Sequence, residues 1–168
     1  AIEALEKIGK PDVLVGQFEI PMNVNEQVFS YAYKIGVETV LNPAPANKPT
    51  DILLQNTSWF IPNEIEFEEI YGDIFNENNL LLFLKNVDTN VVVTLGEKGC
   101  AYIKNNSVKI IKADSVKAID TTGAGDAFVG AFSFALASKL DIEECLKLAL
   151  KKATDSVTKK GTQSSYKN

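Results

Sequence analysis

The sequence predicts an α/β fold, a mainly parallel sheet with helices covering both faces. Three observations carry that prediction. Short apolar runs of strand length alternate with stretches of helical periodicity from end to end, the pattern made by parallel strands joined through crossover helices. One run, Val91-Val92-Val93-Thr94-Leu95, is continuous rather than alternating, as a central strand buried on both faces should be. No internal repeat or low-complexity linker breaks the series. With 168 residues, 45% of them hydrophobic, the chain can bury a substantial core and reads as one domain, or part of one, over positions 1–168.

Taken in order, Ile2, Leu5 and Ile8 have helical spacing, and Gly9 and Pro11 close that helix. The chain opens on Ala1 and enters this helix at once, which reads like an interior segment of something longer. Val13-Leu14-Val15 is a short strand leading into Gly16-Gln17-Phe18-Glu19-Ile20-Pro21. A carboxylate just past a buried strand can line the crevice of an open α/β sheet, although Glu19 alone is more simply a solvated loop residue. Asn25 is expected to cap a helix over 26–36, with Val28, Ala32 and Ile35 inward and Gly36 at its end. Residues 39–41 read as a strand, followed by Asn42-Pro43-Ala44-Pro45-Ala46, where two prolines enforce a stiff, extended exit. Residues 58–61 form another short strand, and Asn63 with Glu66 makes a capping box for the helix that follows. Residues 76–79 are a polar approach to a buried helical segment at 80–84. The strand at 91–95 leaves through Gly96-Glu97-Lys98-Gly99, a good generic turn. Two runs, 100–104 and 107–111, alternate around Asn105-Asn106 as a hairpin. Asp141 caps the last helix, from 142 to 151 or beyond.

Composition removes several classes of function. A net charge of −5 and a pI near 4.8 leave no basic face for nucleic acid. The longest near-apolar run, 127–138, is well short of the roughly 18 residues of a membrane span. The opening residues show no basic and hydrophobic leader, so a cytoplasmic location is expected. Cys100 and Cys145 are too few and too far apart for a disulfide framework or a zinc cluster, and read as buried thiols. There is no histidine. A general base must therefore be a carboxylate, lysine, tyrosine or cysteine.

The chemically richest stretch is Asp120-Thr121-Thr122-Gly123-Ala124-Gly125-Asp126-Ala127-Phe128, which runs straight into the helical segment at 127–138. Gly123 and Gly125 permit a sharp turn and a close approach to a ligand. The amides that begin a helix lack internal partners, and the helix dipole adds positive potential there. Together they make an anion site. Asp126, in the first turn, is a carboxylate in an electrostatically favourable place. Donors for developing charge beside a base for a proton are what phosphoryl transfer to a hydroxyl requires. Spacing alone fits an ordinary glycine-rich turn equally well. No Gly-x-x-x-x-Gly-Lys-Ser/Thr occurs, and no third glycine completes a dinucleotide-binding fingerprint. Along the following helix, Ala127, Gly130, Ala131 and Ala135 form a small-residue face suited to close packing on a sheet, with Phe128, Phe132 and Leu136 supplying bulk.

This stretch resembles the C-terminal signature of the ribokinase-like (PfkB) carbohydrate and nucleoside kinases. Further matches follow in family order: Gln17 to Pro21, Asn42 to Ala46, Asn63-x-x-Glu66, Thr94 to Gly99, and 157–165. The resemblance implies a ribokinase-like three-layer α/β/α fold whose N-terminal half and lid are missing from these 168 residues. It implies that Gly123, Ala124, Gly125 and Asp126 form the anion hole, with Asp126 as catalytic base. It assigns ATP to Asn63, Thr94, Leu95, Gly96, Glu97, Lys98, Gly99, Gly125, Asp126 and Leu150. It puts Mg²⁺ near Glu66 through water, a coordination that suits an ion which keeps much of its hydration. It puts a monovalent cation, K⁺, at Asp120, Thr122, Ser156, Lys159, Gly161 and Ser165. Glu19 and the Asn-Pro-Ala-Pro-Ala segment are similar to the ribokinases within the family, which implies D-ribose as acceptor, phosphorylated at its 5-hydroxyl. Asp126 and Glu19 would then contact the sugar.

Two departures qualify the expectation. Positions 149–152 read Ala-Leu-Lys-Lys, where many relatives carry an Asn or His beside the adenine; Leu150 can pack on the base but cannot replace that polar contact. The family's N-terminal half, with most sugar contacts and the lid that forms the dimer, has no counterpart in these residues, so this portion alone is expected to be inactive. Another sugar or nucleoside as acceptor, or a non-catalytic nucleotide-binding module, are the alternatives.

Overall fold

The expected strands pair in parallel, in chain order. The computed structural model describes residues 2–162. β1 (Val13–Gly16), β2 (Glu38–Leu41), β3 (Trp59–Phe60) and β4 (Asn90–Thr94) lie side by side, with Val13 opposite Glu38, Val40 opposite Trp59 and Trp59 opposite Asn90. β5 (Cys100–Lys104) and β6 (Ser107–Ile111) complete a six-stranded sheet of order β1-β2-β3-β4-β5-β6. The two-residue link between β5 and β6 works because Asn105 and Asn106 both accept left-handed backbone, at φ 52° and 57°, as a tight hairpin demands.

The described residues form two compact units. The first runs up to Val93 and includes Tyr102–Lys109. It contains α1 (Ile2–Ile8), α2 (Met22–Lys34), α3 (Asp51–Gln55), α4 (Glu64–Tyr71) and α5 (Glu77–Leu84). α2 packs on β1 and β2. An aromatic cluster of Phe60, Phe67, Tyr71, Phe75 and Phe83, with ring centroids 5.4–6.0 Å apart, fills its core. Edge-to-face and offset pairs of this kind add about 0.5–1.5 kcal/mol each beyond the area they bury.

One helix start differs from the expectation. Asn25 does not cap a helix at 26–36; α2 begins a turn earlier, with Pro21 at the N-cap position. Asn25 is 2% exposed and its Nδ2 donates to the Gln17 carbonyl at 2.8 Å. The side chain is needed to satisfy the strand exit, and proline's fixed φ starts the helix without it. α3 carries no sequence periodicity at five residues, and Thr50 caps it through the Leu53 amide.

The second unit comprises Thr94–Ala101 and the chain from Ile110 onward. Its core is the pairing of α6 (Ala124–Ala137) with α7 (Ile142–Val157). Asp141 caps α7 as expected, accepting from the Glu143 and Glu144 amides. Of the expected small-residue face of α6, only Ala135 is fully buried, while the expected bulk of Phe128 and Phe132 is. Phe128, Val129, Phe132 and Ala135 are buried, whereas Gly130 has nothing within 4 Å of where a Cβ would stand and Phe134 is 68% exposed. Phe128 and Phe132 stack at 6.4 Å and supply the volume that an alanine-glycine seam lacks. Cys100 and Cys145 are buried free thiols, as expected. Burial pushes the Cys100 thiol up to about 12, despite a hydrogen bond with the Ile111 backbone; burial also raises Cys145, with the Asp141 carboxylate adding to the shift. Among the described residues, no helix is long and apolar enough to cross a membrane.

Candidate functional site

The glycine-rich stretch builds a helix start with no side-chain cap. Gly123 stands at the N-cap position with φ 80° and ψ 4°, a left-handed conformation that penalises any side chain. No side chain caps this end, and the Ala127 amide bonds back to Gly123 O at 2.9 Å. The Ala124 amide reaches Thr121 O at 3.3 Å, and the amides of Gly125 and Asp126 begin the first turn. Gly125 is helical and has nothing within 4 Å of a hypothetical Cβ. Its missing side chain therefore opens space beside the helix end instead of relieving a backbone constraint. Asp126 sits in the same turn and is exposed. An uncapped helix start of this kind offers amide donors and positive potential to an anion.

Asp120 ties this segment to the end of α7. Its Oδ1 accepts from the Thr122 amide and its Oδ2 from the Gly161 amide, each at 3.0 Å. The Ile119 and Asp120 amides donate to Val157 O at 2.7 and 3.2 Å. The sequence-predicted cation residues Asp120, Thr122 and Gly161 are thus brought together, with Ser156 and Lys159 in the same stretch. Ser156 is buried, its hydroxyl donating to Ala153 O at 2.8 Å, while Lys159 N reaches Ser156 O at 3.2 Å. Ser165 lies outside the described residues.

The hydrogen bonds from Thr122, then that from Gly161, hold the Asp120 carboxyl below the ordinary aspartate range, with Lys160 contributing. A carboxylate with a depressed folded-state pKa stabilises the fold above its unfolded pKa, and that contribution disappears as pH falls through the folded value. The stability difference between the wild type and Asp120→Asn should therefore be present near neutrality and shrink toward zero on acidification through and below the ordinary aspartate range. Urea midpoints measured from pH 7 downward check this; a difference that is constant with pH would contradict it.

The same unit contains a cavity of about 730 Å³. Thr94, Gly96, Glu97, Lys98 and Gly99 line one part of it, and Ala124, Gly125 and Leu150 another. Of the residues predicted for a nucleotide, Asn63, Leu95 and Asp126 are not among those lining it; Leu95 is buried, and its amide donates to Gly99 O at 2.8 Å. The segment closes through a single 3₁₀ turn, Gly96–Lys98. Sequence reasoning missed the lining from Ala113, Asp114, Ser115 and Val116. These residues belong to an irregular connection with no motif. The only available signal is its position, directly between the hairpin and the glycine-rich stretch.

In the first unit, Glu19 is exposed just beyond the C-terminal end of β1, and Gln17 Nε2 donates to its Oε2 at 3.2 Å. The proline-rich segment lies beside it: the Phe18 amide donates to Ala44 O, and Asn42 N to Gly16 O, both at 2.9 Å. The Ala44-Pro45 bond is cis. Asn63 and Glu66 form the complete capping box of α4, with Asn63 Oδ1 accepting from Glu66 N and Glu66 Oε2 from Asn63 N, both at 2.8 Å. Burial raises the Glu66 pKa, the Asn63 amide lowers it, and the Glu69 carboxylate adds to the rise. The capping box uses only one oxygen of Glu66 and one atom of Asn63, so both keep a polar atom for something else.

A family model described as pfkB family carbohydrate kinase matches residues 5–168. The chain belongs to this family. Among its pfkB relatives, the chain is 39% identical over 165 residues to a ribokinase of Haemophilus influenzae, covering 95% of this chain and 54% of the relative. It is 36% identical over 170 residues to a deoxyribokinase of Salmonella typhimurium, covering 97% and 55%. The structure of Arabidopsis thaliana ribokinase complexed with ribose and ATP superposes with a TM-score of 0.89 at 28% identity, over 98% of this chain and 55% of that one. The fold is therefore ribokinase-like α/β, and the chain spans about half the length of the relatives it matches.

Proposed function

We propose that the full-length protein transfers the γ-phosphoryl group of ATP to the 5-hydroxyl of D-ribose. The observation that carries the reading is the uncapped start of α6, whose Ala124 and Gly125 stand on the wall of a cavity large enough for a nucleotide, with Asp126 in the same first turn. Asp126 removes the proton from the attacking hydroxyl. The amides of Gly125 and Asp126, with that of Ala124, hold the transferring group, and residues 94–99 border the phosphates. Positioning and preorganised charge supply most of the rate, because the transition state is loose. Glu19, at the end of β1, contacts the sugar.

Magnesium supplies neutralisation of the nucleotide phosphates when bound. Glu66 fits a contact to it through water, since one carboxylate oxygen remains outside the capping box. An ionised Asp120, tied to Thr122 and Gly161, fits a monovalent cation such as K⁺ beside it. We also assign the protein to the cytoplasm, as a homodimer formed through its lid.

Ribose as acceptor is supported by the ribokinase relatives, and 2-deoxyribose is a second reading supported by the 36% identity to a deoxyribokinase. A panel of ribose, 2-deoxyribose, fructose and adenosine, compared by kcat/KM on the full-length protein, tests both. Ribose is expected to lead; finding it among the poorest acceptors refutes the proposal, and 2-deoxyribose ahead of it selects the second reading.

A further inference from the structure

The part of the nucleotide cavity built by α7 has an apolar wall. Leu150, Ala153 and Val157 line it at helical spacing, joined by Phe128 from α6 and Val116 from the connection preceding it. Leu150 is 7% exposed, so its position is set by the α6–α7 core. Of the polar side chains, Thr94, Glu97 and Lys98 belong to the 94–99 turn, and Thr121 lies in the glycine-rich stretch before the N-cap of α6. That leaves Asp114, Ser115 and Thr154 to read a base edge.

None of these three favours adenine over guanine. A serine or threonine hydroxyl both donates and accepts, so it pairs with an exocyclic amine and with a keto oxygen alike. A carboxylate accepts hydrogen bonds; adenine offers it one exocyclic amine and guanine offers N1–H beside its amine, so Asp114 gives adenine no advantage. Asp114 and Ser115 are, moreover, exposed, where water competes for every hydrogen bond they form. An apolar wall recognises a purine by area and shape. Discrimination of about 10⁴-fold or more arises where a site's buried polar groups go unpaired with the wrong ligand, and among the described residues no polar side chain lining this cavity is buried.

We infer that the site selects a purine nucleoside triphosphate without selecting adenine, so that GTP serves as phosphoryl donor nearly as well as ATP. The inference rests on the proposed nucleotide site. Its test is direct titration of the full-length protein with ATP and with GTP, followed by kcat/KM for each donor at saturating ribose. Dissociation constants and kcat/KM should agree between the two donors within roughly tenfold, and Thr154→Val should change their ratio by less than about threefold. A preference for ATP above roughly 10²-fold overturns the inference and leaves the donor site intact; it would mean that main-chain groups of the 113–118 connection read the base. Failure of either nucleotide to bind removes the donor site itself, and the inference with it.

Discussion

Replacing Asp126 by asparagine is expected to lower kcat of the full-length protein by roughly 10²–10⁴-fold, the contribution usual for a positioned general base, while nucleotide binding survives. Asparagine keeps the size of the side chain and can still accept a hydrogen bond, but it cannot take a proton at neutral pH. The chain has no histidine to substitute for it. A second account of Asp126 must be separated from this one. A carboxylate in the first turn of a helix also stabilises that helix, by about 0.3–1 kcal/mol, and this would be true of an aspartate with no chemical duty. The two roles have different signatures. Loss of the helix-end charge lowers the unfolding midpoint slightly and leaves kcat alone; loss of the base lowers kcat and barely moves the midpoint. Near-normal turnover in Asp126→Asn would remove the base assignment, whatever the midpoint did.

What could be read in advance divides along a physical line. Features decided by local chemistry were legible: the Asn105-Asn106 hairpin, the Asp141 cap, the Asn63–Glu66 capping box and the left-handed Gly123 each require only neighbours within a few residues. Features decided by distant partners were not. Asn25 looks like a cap because asparagine commonly is one, yet its amide is consumed by Gln17 O, eight residues away. The Gly130 face of α6 looks like a packing seam, but Gly130 is exposed and the bulky Phe128 and Phe132 are buried. The candidate site shows the same split. Most of the 94–99 turn and the α6 start at Ala124 and Gly125 carry recognisable patterns and line one cavity, which Leu150 joins. The connection supplying Asp114, Ser115 and Val116 has none, since irregular backbone is specified by what it packs against. Asp120 is an intermediate case: its short bond to Thr122 was foreseeable, but the one to Gly161 spans 41 positions and needed the fold.

A glycine outside the 123–126 stretch also carries a large structural demand. Gly99→Ala should destabilise the protein by more than about 3 kcal/mol, in the upper range for single substitutions. Gly99 has φ 106° and ψ −129°, a region that residues with a Cβ scarcely occupy. An added Cβ would lie within van der Waals contact of the Ile111 carbonyl oxygen and 2.8 Å from Ala113 N. Both obstacles are backbone, so no rotamer change relieves them. The Leu95 amide also bonds Gly99 O at 2.8 Å, which fixes the turn from its other side. Relief would require pushing the 111–113 strand exit away from the 96–99 turn, and Ala113 and the 96–99 turn both line the cavity proposed for the nucleotide. Weaker nucleotide binding should therefore accompany the lower denaturation midpoint. Gly125→Ala is the informative control, because its Cβ would meet nothing within 4 Å and alanine favours a helix over glycine by about 0.8–1 kcal/mol. It should leave the midpoint unchanged or raised while intruding on the anion site, so turnover falls without loss of stability. Equal, small losses of stability in the two variants would contradict the backbone contact assigned to Gly99.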